Sequence, residues 1–224
     1  MSEVKNLKQN GQHKDFNGYG GIEELDRYIH DEYGAGWAQK KSKNISAILN
    51  FKQSSFGPDN NNNCTLASIT RIMKYYSDQG LKEIPADLDE LYGIVRKIGV
   101  KHGYHPAKSG LIRDLFVYTP FEIKTMVNDT WIAFGYPAGN SRNRYYRKLR
   151  IIKESIDDMN PVLLNIAGGD YMGHTVTVTG YKVFGKESHS DRTFVQIFDG
   201  WSENTRYIDW KKFGNTLANV TRII

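Results

Sequence analysis

Asn60-Asn61-Asn62-Asn63-Cys64-Thr65-Leu66-Ala67-Ser68-Ile69-Thr70-Arg71-Ile72-Met73-Lys74-Tyr75-Tyr76 contains the only cysteine in the chain. From Leu66 the apolar side chains return at 66, 69, 72/73 and 76, a helical stripe that ends near Gly80. Asn62 or Asn63 is the candidate N-cap, so Cys64 falls in the first helical turn. Unpaired N–H groups and the positive end of the helix dipole stabilise a thiolate there, which makes the thiol a nucleophile at neutral pH. The competing reading is a core cysteine acting as a small hydrophobe. Four preceding asparagines and a Gly57-Pro58-Asp59 turn favour the reactive reading. A reactive cysteine needs a base elsewhere in the chain.

The 224 residues suffice for one large domain or two lobes around a cleft, with a sizeable core. One cysteine rules out an intramolecular disulfide and leaves the redox compartment open. The 30 basic and 25 acidic residues give a net charge of +5, too balanced for a dedicated nucleic-acid protein. No apolar run reaches the ~18 residues of a membrane span. The first ten residues lack the apolar core of a signal peptide.

Residues 1–21 are polar and expected to be poorly ordered, and 22–33 read as a short amphipathic helix ended by Gly34-Ala35-Gly36-Trp37. Residues 1–45 are read as an extension, a possible prosegment remnant, and 46–224 as the main domain. Residues 45–51 are read as an extended segment. Further helices are expected over 85–103, from Thr119-Pro120 to about Phe134, and over 141–158. The last carries Arg142, Arg144, Arg147, Lys148, Arg150 and Lys153 beside Tyr145 and Tyr146. It reads as a solvated face, with an anionic-ligand face as the alternative. His102 and His105 have H-x-x-H spacing without a second ligand pair, so both are expected to face solvent and no metal site is expected. After Pro161 come strands: 161–167, 175–181 with β-branched alternation, 193–198, 206–210 and 220–224. Helices followed by strands indicate an α+β fold, a helical lobe against an antiparallel sheet.

The base candidate is His174, which follows Gly168-Gly169-Asp170-Tyr171-Met172-Gly173 and opens the strand at 175. A third group, Asp199, closes the next strand before Gly200-Trp201. Cysteine at a helix start, histidine opening a strand and a carboxylate closing the following one form the order nucleophile, base, orienter.

At these residues the chain resembles the papain-like cysteine peptidases, in particular the bacterial branch of staphopain-, streptopain- and bacteriocin-leader (C39-like) peptidases. Three blocks carry the resemblance: Asn63-Cys64-Thr65-Leu66-Ala67-Ser68 with Ile72-Met73-Lys74-Tyr75-Tyr76, Gly173-His174-Thr175-Val176-Thr177-Val178-Thr179-Gly180-Tyr181, and Asp199-Gly200-Trp201. The resemblance spans about residues 50–210 and implies a papain-like fold, with a central nucleophile helix packed on the sheet lobe. It implies a peptide or protein substrate, no cofactor, no nucleic-acid partner, and a secreted or cell-surface location, with a cytoplasmic one as the alternative. It assigns Cys64 as nucleophile, His174 as general base, Asp199 as orienter and Trp201 as the ring shielding the histidine. Relatives usually place an oxyanion-hole Gln six residues before the cysteine, where this chain has Pro58. Gln53 fills that role if residues 54–62 hold an insertion, and Asn62 is the second candidate. The rival readings are a transglutaminase-like acyltransferase with the same three residues and a non-catalytic binding module on this fold.

Overall fold

The computed structural model describes residues 21–56, 63–104, 119–137, 141–167, 173–214 and 216–223. Its spine is strand β4, His174–Gly185, twelve residues of which all but one are buried. The Thr-Val alternation at its start gives a strand that offers hydroxyls to one face and valines to the other. One edge of β4 pairs first with β3 (Val162–Ile166) and then with β1 (Ala38–Asn44). Its other edge pairs with β5 (Arg192–Phe198), which continues to β6 (Arg206–Asp209). β3 also pairs with β7 (Ala218–Ile223), and β7 with β2 (Ser141–Arg144). Every pairing is antiparallel, in the order β2-β7-β3-β4-β5-β6 with β1 beside β4.

Both faces of this sheet are covered. Leu163 joins the core of α2 (Cys64–Asp78), α3 (Leu88–Lys101) and α4 (Pro120–Ala133). Its strand neighbours Val162, Leu164 and Ile166 join Ile151, Ile152 and Ile156 of α5 (Lys148–Asp157). The period of two in β3 therefore separates two hydrophobic layers. A third cluster seats α1 (Leu25–Tyr33) on Phe184, Phe194 and Tyr207, and Ile22 bridges to Tyr207. A short helix α6, Trp210–Phe213, follows β6. The described residues thus form six α-helices and one seven-stranded antiparallel sheet, the expected α+β fold.

Gly180 lets β1 approach the spine. A Cβ there would sit 2.6 Å from the Lys43 carbonyl oxygen and 3.0 Å from Asn44 Cα, both backbone atoms. Neither can give way without parting the strands. Gly180→Ala is expected to cost about 1–3 kcal/mol in urea denaturation. A loss under 0.5 kcal/mol would show that this edge is not fixed.

Several helix expectations hold with trimmed ends. Thr119 caps α4 through its hydroxyl with Pro120 in the first turn, and Asp87 caps α3. Three expectations fail. Residues 45–51 are not extended; Ile45, Ile48 and Phe51 plug the core from an irregular segment, and the strand is the polar stretch before them. The expected helix over 141–158 begins only at Lys148, because residues 141–144 pair with β7 instead. His102 does not face solvent: Nδ1 lies 3.0 Å from Glu122 Oε2 and Nε2 2.9 Å from Asp129 Oδ2, tying α3 to α4. His105 and residues 1–20 lie outside the described residues.

Candidate active site

Helix α2 is central rather than peripheral. From Cys64 to Met73 every side chain is buried, polar ones included. Asn63 occupies the N-cap position, but its side chain makes no cap bond. Instead Asn63 Nδ2 donates to the Gln53 carbonyl at 2.9 Å and to the Tyr92 hydroxyl oxygen at 3.0 Å. Asn63 is thus a strut, which corrects its expected role as a cap. Asn62 lies outside the described residues.

The helix is fastened to β4 by small polar side chains. Thr65 Oγ1 lies 3.0 Å from Thr175 Oγ1, and Ser68 Oγ donates to the Thr175 carbonyl at 3.2 Å. Thr175 Oγ1 also donates to Asn165 Oδ1 at 3.0 Å, which spends its one proton, so Thr65 is the donor in the first contact. The residue after Cys64 is therefore hydrogen-bonded to the residue after His174. Asn165 extends the ladder to Asn219 Oδ1 at 2.8 Å and Thr221 Oγ1 at 2.9 Å across β7.

At the other side of the site, His174 Nε2 lies 2.7 Å from the main-chain carbonyl oxygen of Asp199. A carbonyl only accepts, so Nε2 carries a proton and Nδ1 is the basic nitrogen of the neutral ring. Trp201 stacks on the imidazole at 3.9 Å between centroids and 23° between planes. The Asp199 carboxylate holds the turn that carries Trp201: Oδ1 accepts the N–H groups of Trp201 and Ser202 at 2.9 and 3.0 Å.

Gln53 opens a short 3₁₀ turn, Gln53–Phe56, and its N–H donates to the Gly200 carbonyl at 2.7 Å. Gly200 has φ of 76°, a backbone conformation in which a side chain would be strained. The contacts close into a circuit: Cys64-Thr65 to Thr175-His174, His174 to Asp199-Gly200, Gly200 to Gln53, and Gln53 to Asn63-Cys64. All four described residues singled out from the sequence, with Trp201 against them, sit on this circuit.

Sequence reasoning missed what lies beneath it. Arg71, two turns along α2 from Cys64, has no solvent exposure. It donates to Thr177 Oγ1 and to the Phe51 carbonyl, each at 2.9 Å, and its guanidinium stacks 4.5 Å from the Phe51 ring centroid. Burial pushes its pKa down to about 10 while the Asp199 charge pushes it back up, so it stays a cation at neutral pH. Nearby, Phe56 stacks flat on Tyr92, the ring whose hydroxyl holds Asn63. Burial also raises the pKa of Tyr104, and the Cys64 charge adds to that rise. The only available signal for Arg71 was its heptad spacing from Cys64, which puts both on one side of the helix.

No group of three metal-ligating side chains occurs among the described residues, and no described helix is long and apolar enough to cross a membrane. No curated protein and no solved structure matches the chain. The profile of the Peptidase_C39 like family matches residues 45–220, which takes in the whole circuit. An α+β fold, a cysteine opening a buried helix and a histidine fixed beside it agree with that match, and the chain belongs to the Peptidase_C39 like family.

Proposed function

We propose that the protein is a cysteine peptidase in which Cys64 attacks the scissile carbonyl and His174 handles the proton. The observation that carries this reading is the Thr65–Thr175 hydrogen bond, which binds the start of the cysteine helix to the start of the histidine strand. His174 Nδ1 takes the thiol proton, and the thiolate adds to the peptide carbonyl carbon. The tetrahedral intermediate collapses as the imidazolium returns that proton to the leaving amine, leaving a thioester on Cys64. Water, deprotonated by His174, attacks the thioester and releases the acid product and the thiol. Asp199 acts on the imidazole through its carbonyl and through the turn that seats Trp201 on the ring.

The tetrahedral oxyanion needs two donors. The Cys64 N–H at the helix start is one, and the Gln53 side-chain amide is the other. In support, Gln53 is pinned at both backbone ends, by Gly200 and Asn63, beside the cysteine. Gln53→Ala is expected to lower kcat about 10²–10³-fold with little change in KM, because that bond forms mainly in the transition state. Cys64 in this variant should still alkylate. If Asn62→Ala slows turnover and Gln53→Ala does not, the second donor is Asn62.

Mass spectrometry of denatured casein digested with and without added glycinamide tests the reaction class. Hydrolysis yields free carboxyl termini in both, whereas glycinamide adducts as the dominant products would make the enzyme an acyltransferase.

A further inference from the structure

Within the basic run of residues 142–153, residues 145–150 line a groove with Trp210 and residues 214 and 216–218. Tyr145, Tyr146, Arg147, Lys148, Trp210 and Leu217 are among the residues that line a cavity of about 720 Å³. Three large apolar side chains are strongly exposed at its mouth: Tyr146 at 87%, Leu217 at 76% and Tyr145 at 54%. Exposed apolar side chains gathered around one groove mark a surface that meets a partner. The polar side is cationic. Arg147 is held in the left-handed region with φ of 52°, and Arg150 follows one turn later, paired with Glu154. Lys148 Nζ donates to the Thr216 carbonyl at 3.0 Å, and burial pulls its pKa below the usual lysine range. An anion in the groove would restore what that burial costs.

The groove lies at the same end of the sheet as His174. Ile166 pairs on one side with His174 and on the other with Ala218, which lines the groove, and the Ala167 N–H donates to the Leu217 carbonyl at 2.8 Å. Two strand spacings separate Ala218 from His174, about 10 Å, or about three residues of extended chain.

We propose that this groove is a subsite for acidic side chains of the peptide substrate, read about three residues from the scissile bond. The proposal rests on the peptidase reading above and adds its specificity. The carboxylates meet Arg147, Lys148 and Arg150, and the tyrosines cover the intervening apolar backbone and side chains. A single-stranded nucleic acid would fit the same chemistry, but a groove one short stretch of peptide from His174 favours the substrate chain.

Two measurements decide it. The first is cleavage-site profiling of a tryptic peptide library by mass spectrometry. Wild type is expected to show Asp and Glu enriched about three residues from the cut on one side. Arg147→Asn/Lys148→Gln should lose that enrichment, with kcat/KM for acidic sites down about tenfold and that for neutral sites unchanged. Asparagine tolerates the left-handed backbone at 147. No acidic enrichment in wild type, or enrichment that survives in the double variant, overturns the proposal. The second measurement needs no catalysis: fluorescence anisotropy of Cys64→Ala with a fluorescein-labelled ten-residue peptide of alternating Glu and Ala. Binding should weaken in the double-variant background and as salt rises. No binding, or tighter binding of a ten-nucleotide single strand, overturns the proposal even if neutral peptides are cleaved. Binding without any cleavage of the library sinks the peptidase reading and leaves an acidic-peptide site.

Discussion

Cys64→Ala is expected to lower kcat by about 10⁵-fold or more while leaving the fold in place. The thiol is 9% exposed at the first position of α2, and alanine keeps its Cβ, so little packing is lost. The anchoring of this helix end lies in its neighbours: Thr65 to Thr175, Ser68 to the Thr175 carbonyl, and Asn63 to Gln53 and Tyr92. None of those contacts involves sulfur. The stability cost should stay near 1 kcal/mol, a Tm shift of about 2–4 °C for a domain of this size. Calorimetry beside a casein-release assay checks both halves. A drop of ten degrees or more with turnover preserved would make Cys64 a packing residue.

The second large effect concerns Arg71, which no assignment of catalytic roles includes. Arg71→Met should destabilise the protein by about 3–5 kcal/mol in urea denaturation, because it removes a buried cation facing a buried carboxylate. Asp199, 2% exposed, is the charge that acts on Arg71 and would lose that nearby cation. Thr177 and the Phe51 carbonyl would also lose donors in a site closed to water. Asp199→Asn in the Arg71→Met background should then cost much less than in wild type, since the amide can still cap the Trp201 turn without an unpaired charge. If Arg71→Met does not fold, Arg71→Lys carries the test, with a smaller loss that Asp199→Asn again reduces. A loss below 1 kcal/mol for Arg71→Met, or full additivity with Asp199→Asn, would show that the two charges are not coupled.

What the sequence could reveal depended on whether a residue's chemistry or its partners set its role. Cys64, His174 and Asp199 stood out as candidates because a lone cysteine at a helix start, a glycine-led histidine and a strand-ending carboxylate are uncommon together. The Asp199 carbonyl's hold on His174 was not, since a main-chain contact leaves no residue-type signature. Strand β4 announced itself through β-branched alternation. β1 and β2 did not, because Ala38–Asn44 and Ser141–Arg144 are polar, edge-lying stretches whose pairing is dictated by the strand beside them. Lysines along β1 suit an exposed edge, with Lys40 tied to Asp191 and Lys41 to Asp157. The apolar stripe at 66, 69, 72/73 and 76 marked one face of the helix and gave no sign of how the second packs. In the fold that second face is buried as well, and its Thr65, Ser68 and Arg71 carry the hydrogen bonds to β4 and the loop at Phe51.

The central claim is that Cys64 is a nucleophile activated by His174, and labelling by a papain-class epoxide inhibitor followed by intact and peptide mass spectrometry tests it most directly. One adduct per chain is expected on Cys64 of the native protein at pH 6, with labelling slowed at least about 100-fold in His174→Ala because the imidazolium no longer stabilises the thiolate. A native protein that takes no epoxide while its unfolded form alkylates freely with iodoacetamide, or labelling that is indifferent to His174→Ala, would contradict the claim.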